Sequence, residues 1–171
     1  MPNFSLQIDQ TSKLEFELPN KVFVPTGTSS LLIKVVREQL KTPGKLLDLG
    51  CGIGITGISL HHFNLVKGPL YASDCSPDAV LSTQENCKRF GCNVIARTGS
   101  LFEPWEGETF DIIVNDVSGV AKAVADISPW FDNVPCSTGE DGSLLINQVL
   151  KDAPNFMNKN SLLFFPILSL S

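Results

Sequence analysis

The spacing of hydrophobic and polar positions predicts alternating strands and helices along most of this chain. Apolar stripes at helical spacing follow Thr28 and occupy residues 77–90, with Pro77 in the first turn. Short apolar runs typical of parallel strands lie at 46–49, 69–73, 93–96, 110–115 and 161–170. This alternation predicts an α/β fold with a doubly wound, mainly parallel sheet of five strands.

The first 21 residues show a different pattern, in which apolar and polar residues alternate around a short polar break. Segments 4–8 and 14–18 have this two-residue period, so we expect a small hairpin that flanks the core. Residues 22–171 then form the core of a single domain, since 171 residues suit one domain. No helix or antiparallel hairpin is predicted after the last strand, which we expect to be a sheet edge where two copies could associate.

The uneven distribution of charge bears on the class of partner. The net charge is −5, and nine acidic residues against one basic lie between positions 100 and 142. Because this region would repel phosphates, we expect a protein or small-molecule substrate rather than a nucleic acid. The first residues do not resemble a secretion signal, and no apolar run approaches the roughly 20 residues of a membrane span. We therefore expect a cytoplasmic protein that does not associate with membranes.

The cysteines and histidines do not suggest a metal centre. The five cysteines are odd in number and contain no Cys-x-x-Cys pair. His61 and His62 are adjacent, so on a helix they would point about 100° apart. We expect reduced, mostly buried thiols and no metal site.

The most informative segment is KLLDLGCGIGITG at positions 45–57, where an apolar strand breaks into closely spaced glycines. Such glycines permit a tight turn and a close approach of a ligand to the backbone at a helix N-terminus. Residues 52–57 satisfy the G-x-G-x-x-G pattern of dinucleotide sites, and Asp74 ends the next strand, where an acid would bind a ribose. Against a dehydrogenase stands Asp48, because a carboxylate inside a strand is costly unless donors or a cation meet it.

Three motifs in this order resemble the class I S-adenosylmethionine-dependent methyltransferases. They are DLGCGIG at 48–54, Asp74 at the end of the second strand, and FDIIVN at 110–115. The resemblance covers residues 22–170 and implies a Rossmann-like fold with S-adenosylmethionine as cofactor. Ser100 stands where many members carry an acid that binds the adenine amino group. The cofactor contacts taken from the resemblance are Thr28, Asp48, Gly50, Cys51, Gly52, Gly54, Asp74, Cys75, Ser100 and Leu101.

The motif at 110–115 is similar to that of the subgroup that methylates planar nitrogen, including protein glutamine, adenine and guanine N2. Those glutamine enzymes follow the asparagine with two prolines and an aromatic residue, whereas Asn115 is followed by Asp-Val-Ser-Gly. The resemblance implies Asn115 as a catalytic residue. Asp116 departs from the family pattern and is a second catalytic candidate, because its carboxylate could accept a second N–H, attract an amine or act as a base. Val117, which follows it, is a candidate substrate contact. Trp130, in the following long loop, is a candidate for the substrate pocket or for an anchor of that loop.

These residues lead to one hypothesis and two alternatives. The hypothesis is methyl transfer from S-adenosylmethionine to a nitrogen of a protein side chain or small molecule. The first alternative is a small-molecule O- or N-methyltransferase in which Asp116 acts as a base. The second is a catalytically silent subunit with a methyltransferase fold that binds the cofactor or a partner.

Overall fold

A computed structural model describes residues 2–9, 12–117, 119–127 and 138–167 of the chain. Strands and helices alternate as predicted, and two short 3-10 turns lie at Glu103–Trp105 and Ala153–Phe156. The strands are β1 Asn3–Gln7, β2 Lys13–Glu17, β3 Leu46–Leu49, β4 Leu70–Asp74, β5 Val94–Thr98, β6 Phe110–Asn115 and β7 Met157–Phe164. The helices are α1 Gly27–Gln39, α2 Ile55–His62, α3 Pro77–Arg89, α4 Lys122–Ala125 and α5 Leu144–Asp152.

The five predicted core strands form one parallel sheet in the order β5-β4-β3-β6-β7. The α/β prediction is therefore confirmed. The direction of strand addition reverses between β3 and β6, and ligands of such sheets bind at the carboxyl ends of the strands beside this switch point. The glycine segment follows β3, and Asn115 ends β6, so both lie at that point.

Alternation along the central strand directs its side chains into two hydrophobic clusters. Leu46 belongs to the cluster that contains α1, α2 and α3 residues, whereas Leu47 and Leu49 belong to the cluster beneath α5. Successive strand residues point to opposite faces, so Asp48 shares the face of Leu46. Its carboxylate therefore faces the helix that follows the glycines.

The last strand begins at Met157, four residues before the predicted start at 161. The sequence at its start, Met-Asn-Lys-Asn, is largely polar and exposed, so hydrophobic periodicity alone does not indicate a strand there. A shift of register between Phe110 and Ile112 accommodates this start, and Ser161 Oγ donates a hydrogen bond to Phe110 O at 2.6 Å. Helix α5 ends at Asp152, and a 3-10 turn that contains Pro154 follows it, because proline cannot continue the hydrogen bonding of an α-helix.

The predicted N-terminal hairpin is confirmed, with β1 and β2 paired antiparallel. Phe16 is fully buried, and its ring centroid lies 5.0 Å from that of Phe90 at the end of α3. Leu6 and Leu14 join the same hydrophobic cluster. The hairpin therefore packs against α3 rather than standing apart from the core.

One edge of the described sheet is open to association with another chain. β7 forms one edge of the described sheet and leaves Leu162 exposed, so association of two copies there stays a prediction. In the described ranges, no helix combines the length and apolar character of a membrane span. Nor do these ranges bring together three His, Cys, Asp or Glu side chains that could hold a metal ion.

Candidate functional site

A cavity of about 630 Å³ opens at the carboxyl ends of the central strands. The start of α1, the glycine segment, the ends of β4 and β6, and the start of α5 all contribute to its wall. The predicted site residues found in this wall are Thr28, Gly50, Cys51, Gly52, Asp74, Cys75, Ser100, Leu101, Asn115, Asp116 and Val117. Trp130 lies outside the described residues, so its placement in the pocket stays a prediction.

The glycine segment turns sharply over the end of β4. The backbone N–H groups of Gly50 and Cys51 both donate to Ser73 O, at 2.8 and 3.0 Å. Gly50 has a φ of +78°, and a Cβ there would lie 2.7 Å from Val117 Cγ1, so glycine is required for two reasons. A Cβ at Gly52 would meet nothing within 4 Å, because this part of the turn borders the cavity.

Asp74 is held in a fixed orientation by two backbone amides. Its Oδ2 accepts a hydrogen bond from Gly52 N at 3.0 Å, and its Oδ1 accepts one from Ser76 N at 2.9 Å. Each carboxylate oxygen has a further lone pair, so Asp74 can accept hydrogen bonds from two neighbouring hydroxyls of a ligand. The glycine segment and the acid at the end of β4 thus form one unit.

The structure places the carboxylate of Asp48 behind the glycine segment, and its contact with a cofactor stays a prediction. Asp48 is fully buried outside the cavity wall, and its Oδ2 accepts a hydrogen bond from Gly57 N at 2.8 Å. Burial raises the pKa of Asp48 to about 7, against the lowering effect of that N–H, and the charges of Asp116 and Asp74 add to the rise. Its Oδ1 has no hydrogen-bond partner among the described residues. Asp48 therefore acts beneath the loop, through charge and by holding α2.

Gly54 is likewise placed below the cavity surface rather than in its wall. It precedes α2 with a φ of +80°, and a Cβ there would lie 2.9 Å from Ile58 Cδ1. Gly54 therefore has a packing role, since a side chain would push α2 away from the turn, and its contact with a cofactor stays a prediction.

Asn115 presents a buried acceptor that lacks a partner. Only 1% of this residue is exposed, it lines the cavity, and its Oδ1 accepts no hydrogen bond from any described residue. Buried polar atoms are rarely left in this state, because an unmade hydrogen bond there is costly. Because Asn115 lines the cavity, this oxygen is a candidate acceptor for a ligand N–H or O–H.

Asp116 lies beside Asn115 and joins α1 to the end of β6. Its backbone N–H donates to Leu49 O at 3.1 Å, and its carboxylate accepts a hydrogen bond from the Ser29 side chain. Burial raises the pKa of Asp116 to about 6, although the bond from Ser29 opposes the rise. The carboxyl group is therefore mostly ionised at pH 7, a pH that lies close to its pKa.

Two residues of α3 hold the glycine segment from behind, and sequence reasoning missed both. Thr83 Oγ1 donates to Gly52 O at 3.0 Å, and Asn86 Nδ2 donates to Ile53 O at 3.0 Å. The available signal is the position of these two polar residues, three apart, on the buried face of an amphipathic helix. Buried polar side chains in such a stripe indicate a hydrogen-bonding role.

The charges around the cavity favour a positively charged ligand. Asp74, Asp116 and Asp141 line it, against a single lysine, Lys21, among the described lining residues. The pyrophosphate of a dinucleotide would bring further negative charge to this wall, which makes a dehydrogenase site unfavourable.

Comparison with known proteins gives a consistent set of similarities. Residues 23–116 match the family described as Methyltransferase small domain. The release factor glutamine methyltransferase of Geobacter sulfurreducens is 25% identical over 150 residues, which cover 85% of this chain and 52% of that protein. The ribosomal protein L11 methyltransferase of Symbiobacterium thermophilum is 30% identical over 132 residues, with coverages of 75% and 42%. The chain thus spans about half the length of the curated relatives it matches.

The fold is also that of solved methyltransferase structures. The T. thermophilus 16S rRNA N2 G1207 methyltransferase, in complex with AdoMet and guanosine, superposes with a TM-score of 0.70 at 20% identity. The match covers 96% of this chain and 41% of that one. At this identity the likeness concerns the fold alone.

Proposed function

This chain belongs to the methyltransferase small domain family, and we propose that it transfers a methyl group from S-adenosylmethionine to a nitrogen of a protein side chain. The observation that carries the proposal is that Asn115 lines the cavity and that its Oδ1, an acceptor suited to an N–H group, accepts no hydrogen bond from a described residue. The names of two relatives, which act on a release factor and on a ribosomal protein, favour a protein substrate.

The residues of the cavity fit this cofactor. Asp74 offers acceptors for the two neighbouring ribose hydroxyls, and Gly52 leaves open space beside them. Cys75 and Leu101 border the region where an adenine ring would pack, and Ser100 offers a hydroxyl there. The excess of carboxylates in the wall suits a ligand that carries sulfonium and ammonium charges.

Catalysis by these side chains would rest on positioning. When bound, S-adenosylmethionine supplies a methyl group attached to a positively charged sulfur. Asn115 Oδ1 accepts an N–H of the acceptor nitrogen and so directs the nitrogen lone pair toward that methyl group. Asp116, held by Ser29, provides a second acceptor on the same side. Fixed donors and acceptors of this kind supply much of the rate in such transfers.

A second candidate function has its own supporting observation. Burial raises the pKa of Asp116 to about 6, near the range where a general base works best at neutral pH. A small molecule with a hydroxyl or amine could lose its proton to Asp116 as the methyl group is transferred. This candidate shares the cofactor site and differs only in the size of the acceptor.

Asp74→Ala should weaken the binding of S-adenosylmethionine by roughly 1–3 kcal/mol, because hydrogen bonds to a charged acceptor are lost. Isothermal titration calorimetry should therefore show a Kd increased by about 5- to 150-fold. The matched control is Asp78→Ala, an exposed acid in the first turn of α3, which should leave the Kd unchanged. Saturable binding of a nicotinamide dinucleotide alone would overturn the choice of cofactor.

The transfer itself can be tested with methyl-labelled S-adenosylmethionine and a cell extract that is then separated into protein, nucleic acid and metabolites. Label in protein supports the proposal, and label only in metabolites supports the small-molecule candidate. Label only in nucleic acid contradicts the charge argument. Cofactor binding without transfer to any fraction would indicate a silent binding subunit.

A further inference from the structure

Asp116 places a negatively charged carboxylate where the nitrogen that receives the methyl group would bind. Asn115 and Asp116 both line the cavity at the end of β6, and the bond from Asp116 N to Leu49 O holds this end against β3. The Ser29 hydroxyl occupies part of the hydrogen-bonding capacity of the carboxylate. A carboxylate can accept about four hydrogen bonds, so acceptor sites remain for a ligand.

A neutral amide and a cationic amine would interact differently with this pair. An amide could donate N–H bonds to Asn115 and Asp116, but it would bring no positive charge of its own to the largely buried carboxylate of Asp116. A protonated amine would neutralise that charge, and hydrogen bonds between ionised groups are roughly twice as strong as those between neutral ones. Selectivity depends on the difference between the binding free energies of the two substrates, and this difference favours the protonated amine over the amide.

The surface next to the cavity carries the same sign of charge. A groove of about 500 Å³ shares Ser100 and Leu101 with the cavity. Glu103, Glu106 and Asp152 line it, and none of the other described lining residues is basic. A protein segment with lysine or arginine near its acceptor would therefore be attracted to this side of the site.

From this geometry we propose that the acceptor is a primary amine, a lysine side chain or a chain N-terminus, in a basic protein segment. The inference rests on the proposed function and names the substrate class of the same site. The ammonium group loses one proton to Asp116, and the neutral amine donates an N–H to Asn115 Oδ1. The nitrogen lone pair then forms the C–N bond as the C–S bond breaks, with its electron pair left on sulfur. The product is a methylammonium group, and the proton on Asp116 passes to solvent.

The experiment identifies the atom that is methylated by the full-length protein. Proteins of a cell extract are labelled with tritiated-methyl S-adenosylmethionine and hydrolysed in strong acid. A methylated amine survives hydrolysis as a labelled amino acid, whereas a methylated amide releases labelled methylamine, which becomes volatile when the hydrolysate is made alkaline. We expect non-volatile label, in methyllysine for a side-chain acceptor or in an N-methylated terminal residue for a chain N-terminus.

Asp116→Asn tests the charge at nearly constant shape. Labelling of the amine, measured at a concentration of S-adenosylmethionine that saturates each variant, should fall at least about tenfold, equivalent to about 1.4 kcal/mol. The matched control is Glu140→Gln, which changes an exposed acidic residue outside the cavity wall. This variant should label the amine at the same rate as the native protein. Undiminished amine labelling by Asp116→Asn would overturn the inference.

The outcomes for the native protein separate the inference from the function on which it rests. Volatile label, or label on arginine, overturns the amine inference and leaves methyl transfer to protein nitrogen in place. Absence of label from protein contradicts the proposed function itself. If Asp116→Asn fails to bind the cofactor, the identity of the residue labelled by the native protein decides the question.

Discussion

Asp48→Asn is expected to stabilise the ligand-free protein at pH 8 by roughly 2–4 kcal/mol, since each unit of pKa shift corresponds to about 1.4 kcal/mol. Burial raises the pKa of Asp48 from 3.8 to about 7. Between these values the folded chain holds a proton that the unfolded chain has lost, so stability falls as pH rises through this window. The asparagine has no charge to bury, and its Oδ1 can still accept the bond from Gly57 N. Its amide N–H groups replace an oxygen that has no partner among the described residues, so their burial reduces the gain below the full pKa shift.

Urea unfolding at pH 5 and pH 8 would measure this effect. The native free energy of unfolding should be lower at pH 8, and most of the difference should vanish in Asp48→Asn. Part should remain, because burial also raises the pKa of Asp116, to about 6. The control, Asp126→Asn, removes an exposed carboxylate paired with Lys122 and should change the free energy by no more than about 0.5 kcal/mol. An Asp48→Asn protein less stable than native at pH 8 would contradict the prediction.

The same substitution should harm function while it improves stability. The charges of Asp74 and Asp116, which both line the cavity, contribute to the raised pKa of Asp48 behind the glycine segment. A cation bound in the cavity would be stabilised by the ionised Asp48 below the loop, so Asp48→Asn should weaken S-adenosylmethionine binding severalfold. Asp48 would then be a case of the trade-off between stability and activity, in which a charge that destabilises the fold is kept because it helps binding.

Most of the cavity wall could be predicted because its signals are local in the sequence. The glycine spacing, the acid at the end of β4 and the motif that ends β6 each lie within a few residues of a strand end. Parallel strands bring their carboxyl ends to one edge of the sheet, so correct strand assignment alone places Gly50, Asp74 and Asn115 together. The start of β7 was not predicted because its polar residues lack the pattern of a buried strand.

The position of Asp48 and the roles of the missed residues depend on contacts that no local pattern reports. The sequence places Asp48 within a strand, but only the packing of α2 shows that its carboxylate is used by Gly57 N. Thr83 and Asn86 contact carbonyls more than thirty positions earlier in the chain. Periodicity indicates that these two side chains are buried, but it does not indicate what they contact.

Asn86 links three separate parts of the molecule. It is fully buried, and its side chain donates to Ile53 O in the glycine segment and to Glu17 O in β2, both at 3.0 Å. Its Oδ1 accepts from Glu17 N at 2.9 Å. Every hydrogen-bonding atom of the amide is therefore used to connect the hairpin, α3 and the loop that borders the cavity.

Asn86→Ala should lower the free energy of unfolding by roughly 2–4 kcal/mol, because each buried group left unpaired costs about 1–3 kcal/mol and water can reach Glu17. Denaturant unfolding measures this loss. The matched control is Ser82→Ala, one turn earlier in α3, whose Oγ is buried without a partner and should cost less than about 1 kcal/mol.

The loss of the Asn86 hydrogen bonds should also change cofactor binding at the cavity while the protein is still folded. With Ile53 O released, the Gly52 N–H that orients Asp74 is less well fixed, so the Kd for S-adenosylmethionine should rise severalfold in Asn86→Ala and stay constant in Ser82→Ala. Hydrogen exchange of the Glu17 amide should accelerate in the first variant only. If the Kd is unchanged while that amide exchanges faster, the hairpin is tied to α3 but does not support the cofactor loop. A joint change means that residues 3–17, far from the cavity in sequence, help to shape the site through one asparagine.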